Sequence, residues 1–264
     1  VAVWVPVHIF GRWPEVEGRL RMSLGLFLML DYDGTLVYDV GRPEAAELSP
    51  EVRGVLEGLA RRSWVKVAMF SGRTVEQLRR LVGVRGLFYA GLHGLNIVGP
   101  GLSFTHDEAP ELRRRVESVE AELKEAFKGF KEVSIEDRGL SISIHYELAP
   151  RGFGRQVSKV LNPILSRHAG LRAFKGRKAI ELTPEVDWDR GRAALTLLEA
   201  AGAQDYVPLY VGNDELDEPA FKALSGRGLT VVVGRKRRSY AGFYVRSVEE
   251  VHELLKRISA LASL

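Results

Sequence analysis

Cysteine is absent from the 264-residue chain, which excludes disulfides and thiolate metal sites outright. No apolar stretch reaches the length of a membrane span, and no basic segment precedes an apolar core as in a signal peptide. A strong excess of one charge is also missing. The net charge of +4 and pI near 9.3 suit an anionic substrate, but without a basic stripe or module they give no reason to expect nucleic acid. Asn and Gln are scarce beside Arg and Glu, a balance found in heat-stable proteins. No internal repeat is visible. What remains is an ordinary globular composition, 45% hydrophobic and 27% charged, long enough for one large or two modest domains.

The chain is organised around Asp31-Tyr32-Asp33-Gly34-Thr35-Leu36, directly after the apolar run Leu24–Leu30. Such a run, bounded by turn residues, reads as a strand buried on both faces in the middle of a parallel sheet. Ligands bind at the carboxyl ends of these strands, and here two carboxylates stand at that end. Gly34 permits a sharp turn, and Thr35 can offer hydroxyl and amide to an anion. The chemistry suited to this pair is phosphoryl transfer, with one carboxylate attacking phosphorus and the other moving a proton to the leaving oxygen and from water. Two anions facing a phosphate monoester need a hard cation between them, and oxygen donors point to Mg²⁺.

Residues 1–21 show little period beyond Val1–Phe10, so poor order is expected there, with an edge strand at Val1–Val7 as the alternative and Met22 as a candidate initiator. Asp39–Leu48 reads as a loop and Ser49-Pro50-Glu51 as the start of a helix to about Arg62. Val65–Phe70 is a second buried strand, with Ser71-Gly72-Arg73-Thr74 at its end. The Ser71 hydroxyl can donate to a phosphoryl oxygen, and Thr74 caps a helix over Val75–Leu81. Leu87–Ala90 is a third strand. Beyond Ile97 the pattern changes to a long helix at Glu108–Phe127, strands at Lys131–Glu136 and Leu140–Tyr146 around Asp137-Arg138-Gly139, a helix at Phe153–His168, and strands at Leu171–Phe174 and Arg177–Leu182 around Lys175-Gly176. In Leu140–Tyr146 the isoleucines alternate with Ser141, Ser143 and His145, giving one buried and one polar face. Arg113-Arg114-Arg115 reads as a solvated helix face. This helix-hairpin, helix-hairpin unit is α+β, unlike the parallel core, and can act as a lid. After Thr183-Pro184 come a helix at Arg192–Ala201, a buried strand at Tyr206–Val211, and the acid-rich Gly212-Asn213-Asp214-Glu215-Leu216-Asp217-Glu218, where clustered carboxylates suit Mg²⁺. A helix at Pro219–Leu224, a strand at Leu229–Val233, a basic turn at Gly234–Arg238 and a helix at Val248–Leu261 complete the chain.

An Asp-x-Asp-x-Thr after a strand resembles the haloacid dehalogenase-like phosphatases. Within that superfamily the chain looks most like trehalose-6-phosphate phosphatases over roughly Leu26 to Leu255. The segments that carry this are the aspartate loop, Ser71-Gly72-Arg73, Gly91-Leu92-His93-Gly94, Ser141-Ile142-Ser143-Ile144-His145-Tyr146, Gly176-Arg177-Lys178-Ala179-Ile180-Glu181, and Gly212 to Phe221. The resemblance implies an α/β fold, a Rossmann-like parallel-sheet core (22–97 and 184–264) with an inserted α+β cap (98–183). It implies Asp31 as nucleophile and Asp33 as general acid/base, with Ser71 and Arg190 serving catalysis. Asp31, Asp33, Asn213, Asp214 and Asp217 become candidate Mg²⁺ ligands. Thr35, Gly72, Arg73, His93, Arg138, His145, Lys178 and Glu181 become candidate substrate contacts, Glu181 for sugar hydroxyls.

Three positions depart from the family pattern. Arg190 stands for a lysine, keeping the charge but spreading it over a planar fork. Asn213 stands for an acid, so the metal site loses a negative charge. Leu92 stands for an acid before His93, and it cannot hydrogen-bond a sugar. The resemblance therefore implies a cytoplasmic phosphatase of trehalose 6-phosphate, with sucrose phosphate, mannosyl- or glucosyl-phosphoglycerate as other substrates and a non-catalytic sugar-phosphate-binding homologue as the reading from another class. A trehalose-phosphate synthase is the implied protein partner, no membrane is expected, and the chain is expected as a monomer or small homo-oligomer.

Overall fold

The computed structural model describes residues 3–38, 47–146, 148–175, 178–236 and 238–261. Most of the loop expected over Asp39–Leu48, Gly176 and Arg177 of the second hairpin, Arg237 of the basic turn and residues 1 and 2 lie outside the described residues. In chain order the strands are β1 (Val7–His8), β2 (Leu26–Asp31), β3 (Val65–Phe70), β4 (Phe88–Gly91), β5 (Asn96–Gly99), β6 (Leu102–Thr105), β7 (Ser134–Asp137), β8 (Ile142–His145), β9 (Leu171–Lys175), β10 (Ala179–Pro184), β11 (Val207–Gly212), β12 (Leu229–Val233) and β13 (Phe243–Val245). The α-helices are α1 (Trp13–Arg21), α2 (Pro50–Ala60), α3 (Val75–Val82), α4 (Ala109–Ala126), α5 (Gly154–Arg167), α6 (Arg190–Ala200), α7 (Glu218–Leu224) and α8 (Val248–Ala260).

The chain divides into two compact units, one taking in residues up to Ser71, Val75–Phe104 and the chain from Trp188 onward, the other Thr105–Asp187 with Gly72–Thr74. The first unit contains a sheet of order β1-β13-β12-β11-β2-β3-β4-β5-β6. Central β2 is hydrogen-bonded in parallel to β11 on one side and β3 on the other. Strand order runs outward in both directions from β2, so the switch-point crevice lies at its carboxyl end, where Asp31 closes the strand.

Alternation along the buried strands decides which helices cover which face. Leu26, Leu28, Leu30, Val67, Met69, Leu209 and Val211 pack with α1, α2, α3 and α8, whereas Phe27, Met29, Ala68, Phe70 and Tyr210 pack with α6 and α7. All six residues of β2 are buried, as a strand covered on both faces requires. Ser49 caps α2 by accepting from the Val52 amide, with Pro50 at its first position.

The N-terminal segment corrects the expectation of poor order. Its β1 pairs in parallel with β13, Val7 opposite Phe243, and α1 buries Val16 and Leu20. Ile9 is wholly buried, and Nε2 of His8 lies 2.8 Å from Oε2 of Glu250. The alternative of an edge strand at Val1–Val7 is met in kind but not in extent, since β1 is the edge strand of its sheet and takes in only Val7 and His8, a run too short to carry a period of its own. Strands β5 and β6, which were not expected, extend the first unit past residue 97, with β5 antiparallel to β4.

The second unit is an antiparallel sheet of order β7-β8-β10-β9 whose apolar face packs on α4 and α5 through Val116, Val119, Leu123, Val157, Leu161 and Ile164. Its polar strand face is buried too. Ser141, Ser143 and His145 are at most 4% exposed, so β8 is covered on both sides rather than on one. Arg113 likewise departs from a solvated face. It forks onto Asp137 at 2.6 and 2.8 Å and donates to the Gly139 carbonyl, bracing the turn between β7 and β8.

Candidate active site

Asp31 ends β2 only 3% exposed. Its two oxygens have different partners: Oδ1 accepts from Nη1 of Arg190 at 2.7 Å, and Oδ2 from the Thr35 hydroxyl at 3.0 Å. Thr35 thus spends its hydroxyl on Asp31, whereas its sequence position suggested an anion contact. The loop is held by the amides of Leu36 and Val37 on the Tyr32 carbonyl and that of Gly34 on the Val37 carbonyl. Burial pushes the Asp31 carboxyl well above its ordinary range, the Arg190 guanidinium opposes that, and the charges of Asp217, Asp214 and Asp33 push the same way as burial.

Arg190 opens α6 behind Asp189, which caps the helix by accepting from the Arg192 amide at 2.8 Å. Its Nη1 also donates to Oδ1 of Asp217 at 2.5 Å. Burial disfavours the guanidinium charge, but Asp217 and Asp31 outweigh it and raise the pKa well above the ordinary value.

Asp217, expected as a metal ligand, has another task. Oδ1 accepts from Arg190 and from the Tyr210 hydroxyl, and Oδ2 from the amides of Asn213 and Asp214. Four donors fill the lone-pair directions of a carboxylate, so none is left for a cation. The close approach needs Gly212, where a Cβ would meet Cγ of Asp217 at 2.2 Å. Tyr210 carries no sequence signal beyond that of a core strand residue.

Asn213 lies over the aspartate loop. A Cβ at Gly34 (φ +80°) would meet its Nδ2 at 2.0 Å, which fixes glycine there twice over, by conformation and by space. Oδ1 of Asn213 is buried and has no partner. Among the described residues no three His, Asp or Glu side chains form a ready-made metal cluster. An amide oxygen with no donor beside an excess of buried carboxylate charge is nevertheless the setting that an oxygen-seeking cation fits, with Asp31, Asp33, Asn213 and Asp214 as donors.

Ser71 follows β3, and its hydroxyl donates to Oδ2 of Asp33 at 3.3 Å. The Ser71 carbonyl accepts from the His93 amide, which places the segment after β4 beside that after β3. Leu92 and His93 both take left-handed conformations, φ 54° and 57°, a costly backbone for such residues.

The other expected contacts belong to the second unit. Glu136 is its hub, with Oε1 3.5 Å from Nη1 of Arg73 and Oε2 3.0 Å from both Nε of Arg138 and Nε2 of His145. Burial raises the Glu136 carboxyl, but His145, Arg138 and Arg73 together leave it below its ordinary value. Glu136 was not foreseen, although its place at the end of a strand opposite Ser143 marks it in retrospect. Glu181 accepts from the Ser141 hydroxyl at 3.2 Å, and Lys178 donates to the Ala149 carbonyl at 3.1 Å. Gly72 is buried beside Arg73.

Comparison with known proteins bears on this arrangement. A family model described as trehalose-phosphatase matches residues 29–249. The probable trehalose-phosphate phosphatase D of Arabidopsis thaliana is 33% identical over 248 residues, covering 88% of this chain and 67% of that protein. The trehalose-phosphate phosphatase of Mycobacterium tuberculosis is 33% identical over 259 residues, covering 93% of this chain and 66% of its own length. The C-terminal domain of the C. albicans trehalose-6-phosphate phosphatase has the same fold, with a TM-score of 0.83 at 21% identity over 99% of this chain and 100% of that one.

Proposed function

Since the chain belongs to the trehalose-phosphatase family of phosphomonoester hydrolases, we propose that it releases inorganic phosphate from trehalose 6-phosphate through an aspartyl-phosphate at Asp31. The observation that carries this reading is the Asp31 carboxylate, buried at the switch point and oriented at one oxygen by Arg190 and at the other by Thr35. Each oxygen keeps a lone pair for attack.

An oxygen of Asp31 forms a bond to phosphorus as the bond from phosphorus to the sugar oxygen breaks, and Asp33 gives its proton to that departing oxygen. Water then attacks the phosphorus of the acyl phosphate as Asp33 takes the water proton, the bond from phosphorus to the Asp31 oxygen breaks with the Asp31 carboxylate as leaving group, and inorganic phosphate is released. The Ser71 hydroxyl, beside Asp33, donates to a phosphoryl oxygen. Arg190 keeps Asp31 oriented and offsets its charge. Asp31, Asp33, Asn213 and Asp214 would hold Mg²⁺, which when bound would supply the positive charge that lets an anionic substrate meet an anionic nucleophile. Glu181 and the cations around Glu136 read the sugar.

The test is phosphate release from a panel of sugar phosphates, including trehalose 6-phosphate, sucrose 6-phosphate and glucosyl-3-phosphoglycerate, with and without Mg²⁺. Trehalose 6-phosphate is expected to be preferred and turnover to require Mg²⁺. Preference for another member would move the substrate, and binding without turnover of any would overturn the catalytic reading.

A further inference from the structure

We propose that Tyr210 is a positioning residue for this reaction, its hydroxyl fixing Asp217 so that the Arg190 guanidinium is shared correctly with Asp31; this rests on the reading of Asp31 as nucleophile. Tyr210 lies in the middle of β11 and is wholly buried. Its hydroxyl donates at 2.8 Å to Oδ1 of Asp217, the oxygen that receives Nη1 of Arg190. That same nitrogen donates to Asp31, so one hydroxyl, one carboxylate and one guanidinium form a buried line ending at the nucleophile.

Two further features make the hydroxyl matter. Nε of Arg190 is buried without a partner, so the set of the guanidinium depends on how Nη1 divides between Asp217 and Asp31. A second donor on Oδ1 of Asp217 draws off part of its charge and weakens its hold on Nη1, leaving more of the guanidinium for Asp31. Burial, and then the Asp217 charge, push the Tyr210 phenol well above its ordinary pKa, so it stays a donor at working pH. The ring itself is held by edge-on contacts with Phe70 at 5.3 Å and Phe221 at 5.7 Å. Those contacts need no hydroxyl, so Tyr210→Phe removes the donor and leaves the packing in place.

The experiment uses the full chain with Mg²⁺, trehalose 6-phosphate and p-nitrophenyl phosphate, and compares wild type, Tyr210→Phe, Asp217→Asn and the double variant. Tyr210→Phe is expected to lower kcat about tenfold on both substrates, the rate equivalent of one hydrogen bond, with KM and melting temperature little changed. In the Asp217→Asn background the same change is expected to have no further effect, because its route is gone. Wild-type kcat in Tyr210→Phe, or two losses that multiply in the double variant, would overturn the proposal. Should Asp217→Asn not fold, calorimetric binding of orthovanadate, a mimic of the five-coordinate phosphoryl group, reads the same step. Vanadate affinity is expected to fall with kcat while inorganic phosphate affinity holds, and equal losses for both anions would count against a positioning role. A wild type without turnover would strike at the proposed function, while vanadate binding would still decide the role of Tyr210.

Discussion

Nη1 of Arg190 donates to Oδ1 of Asp31 at 2.7 Å, joining two buried residues 159 positions apart in the chain. Removing its charge strands both Asp31 and Asp217 in a dry site. Arg190→Gln is expected to destabilise the protein by about 3–5 kcal/mol, the usual result of breaking a buried pair, and to lower kcat at least a hundredfold. Arg190→Lys keeps a cation and is expected to stay within about tenfold of wild-type kcat. Thermal melts and phosphate release measure both.

Asn213 brings an oxygen but no charge to the proposed metal site. Asn213→Asp is expected to lower the Mg²⁺ concentration needed for half-maximal activity. Without metal it adds one more acid to a crowded group, so the melting temperature is expected to fall by about 2–8 °C and to recover on adding Mg²⁺. A melting temperature and Mg²⁺ requirement both unchanged would remove Asn213 from the metal site.

Glu136 gives a pH-dependent contribution. Its folded pKa is lowered, so the stabilisation is present above the ordinary Glu value of about 4.3 and is lost as pH falls through the folded value. Glu136→Gln leaves Arg73 and Arg138 without their carboxylate and is expected to cost about 2–4 kcal/mol near neutral pH. The gap in melting temperature from wild type is expected to shrink below about pH 4.

Glu181→Ala is expected to raise KM for trehalose 6-phosphate about tenfold or more while changing p-nitrophenyl phosphate turnover little, since only the sugar offers hydroxyls to a carboxylate. Steady-state kinetics on both substrates separate this from a general loss of structure.

The parts of this fold that could be read from sequence are those specified locally. Leu26 to Asp31, Val65–Phe70 and Leu229–Val233 announce themselves as apolar runs between turn residues, and Ser49-Pro50 as a helix start. What escaped depends on partners far away in the chain. The position and extent of β1, open in sequence between poor order and an edge strand, are set by its pairing with β13, and β5 and β6 are short strands added at a sheet edge. The site divides in the same way. Asp31, Asp33 and Ser71 stand out by residue type and position, whereas Arg190 is picked out only by the family resemblance. That Asp217 serves Arg190, and that Tyr210 stands behind it, follows only from how β11, α6 and α7 pack. An acid at a strand end looks the same in sequence whether its oxygens are open or filled.

The most direct test of the chemistry is to quench the enzyme in acid during turnover of trehalose 6-phosphate, reduce with borohydride, and map the modified peptide by mass spectrometry. An acyl phosphate on Asp31 predicts that residue 31 is recovered as homoserine, and that the product is absent in Asp31→Asn. A turning-over enzyme with the reduced residue elsewhere would contradict the assignment of Asp31 as nucleophile.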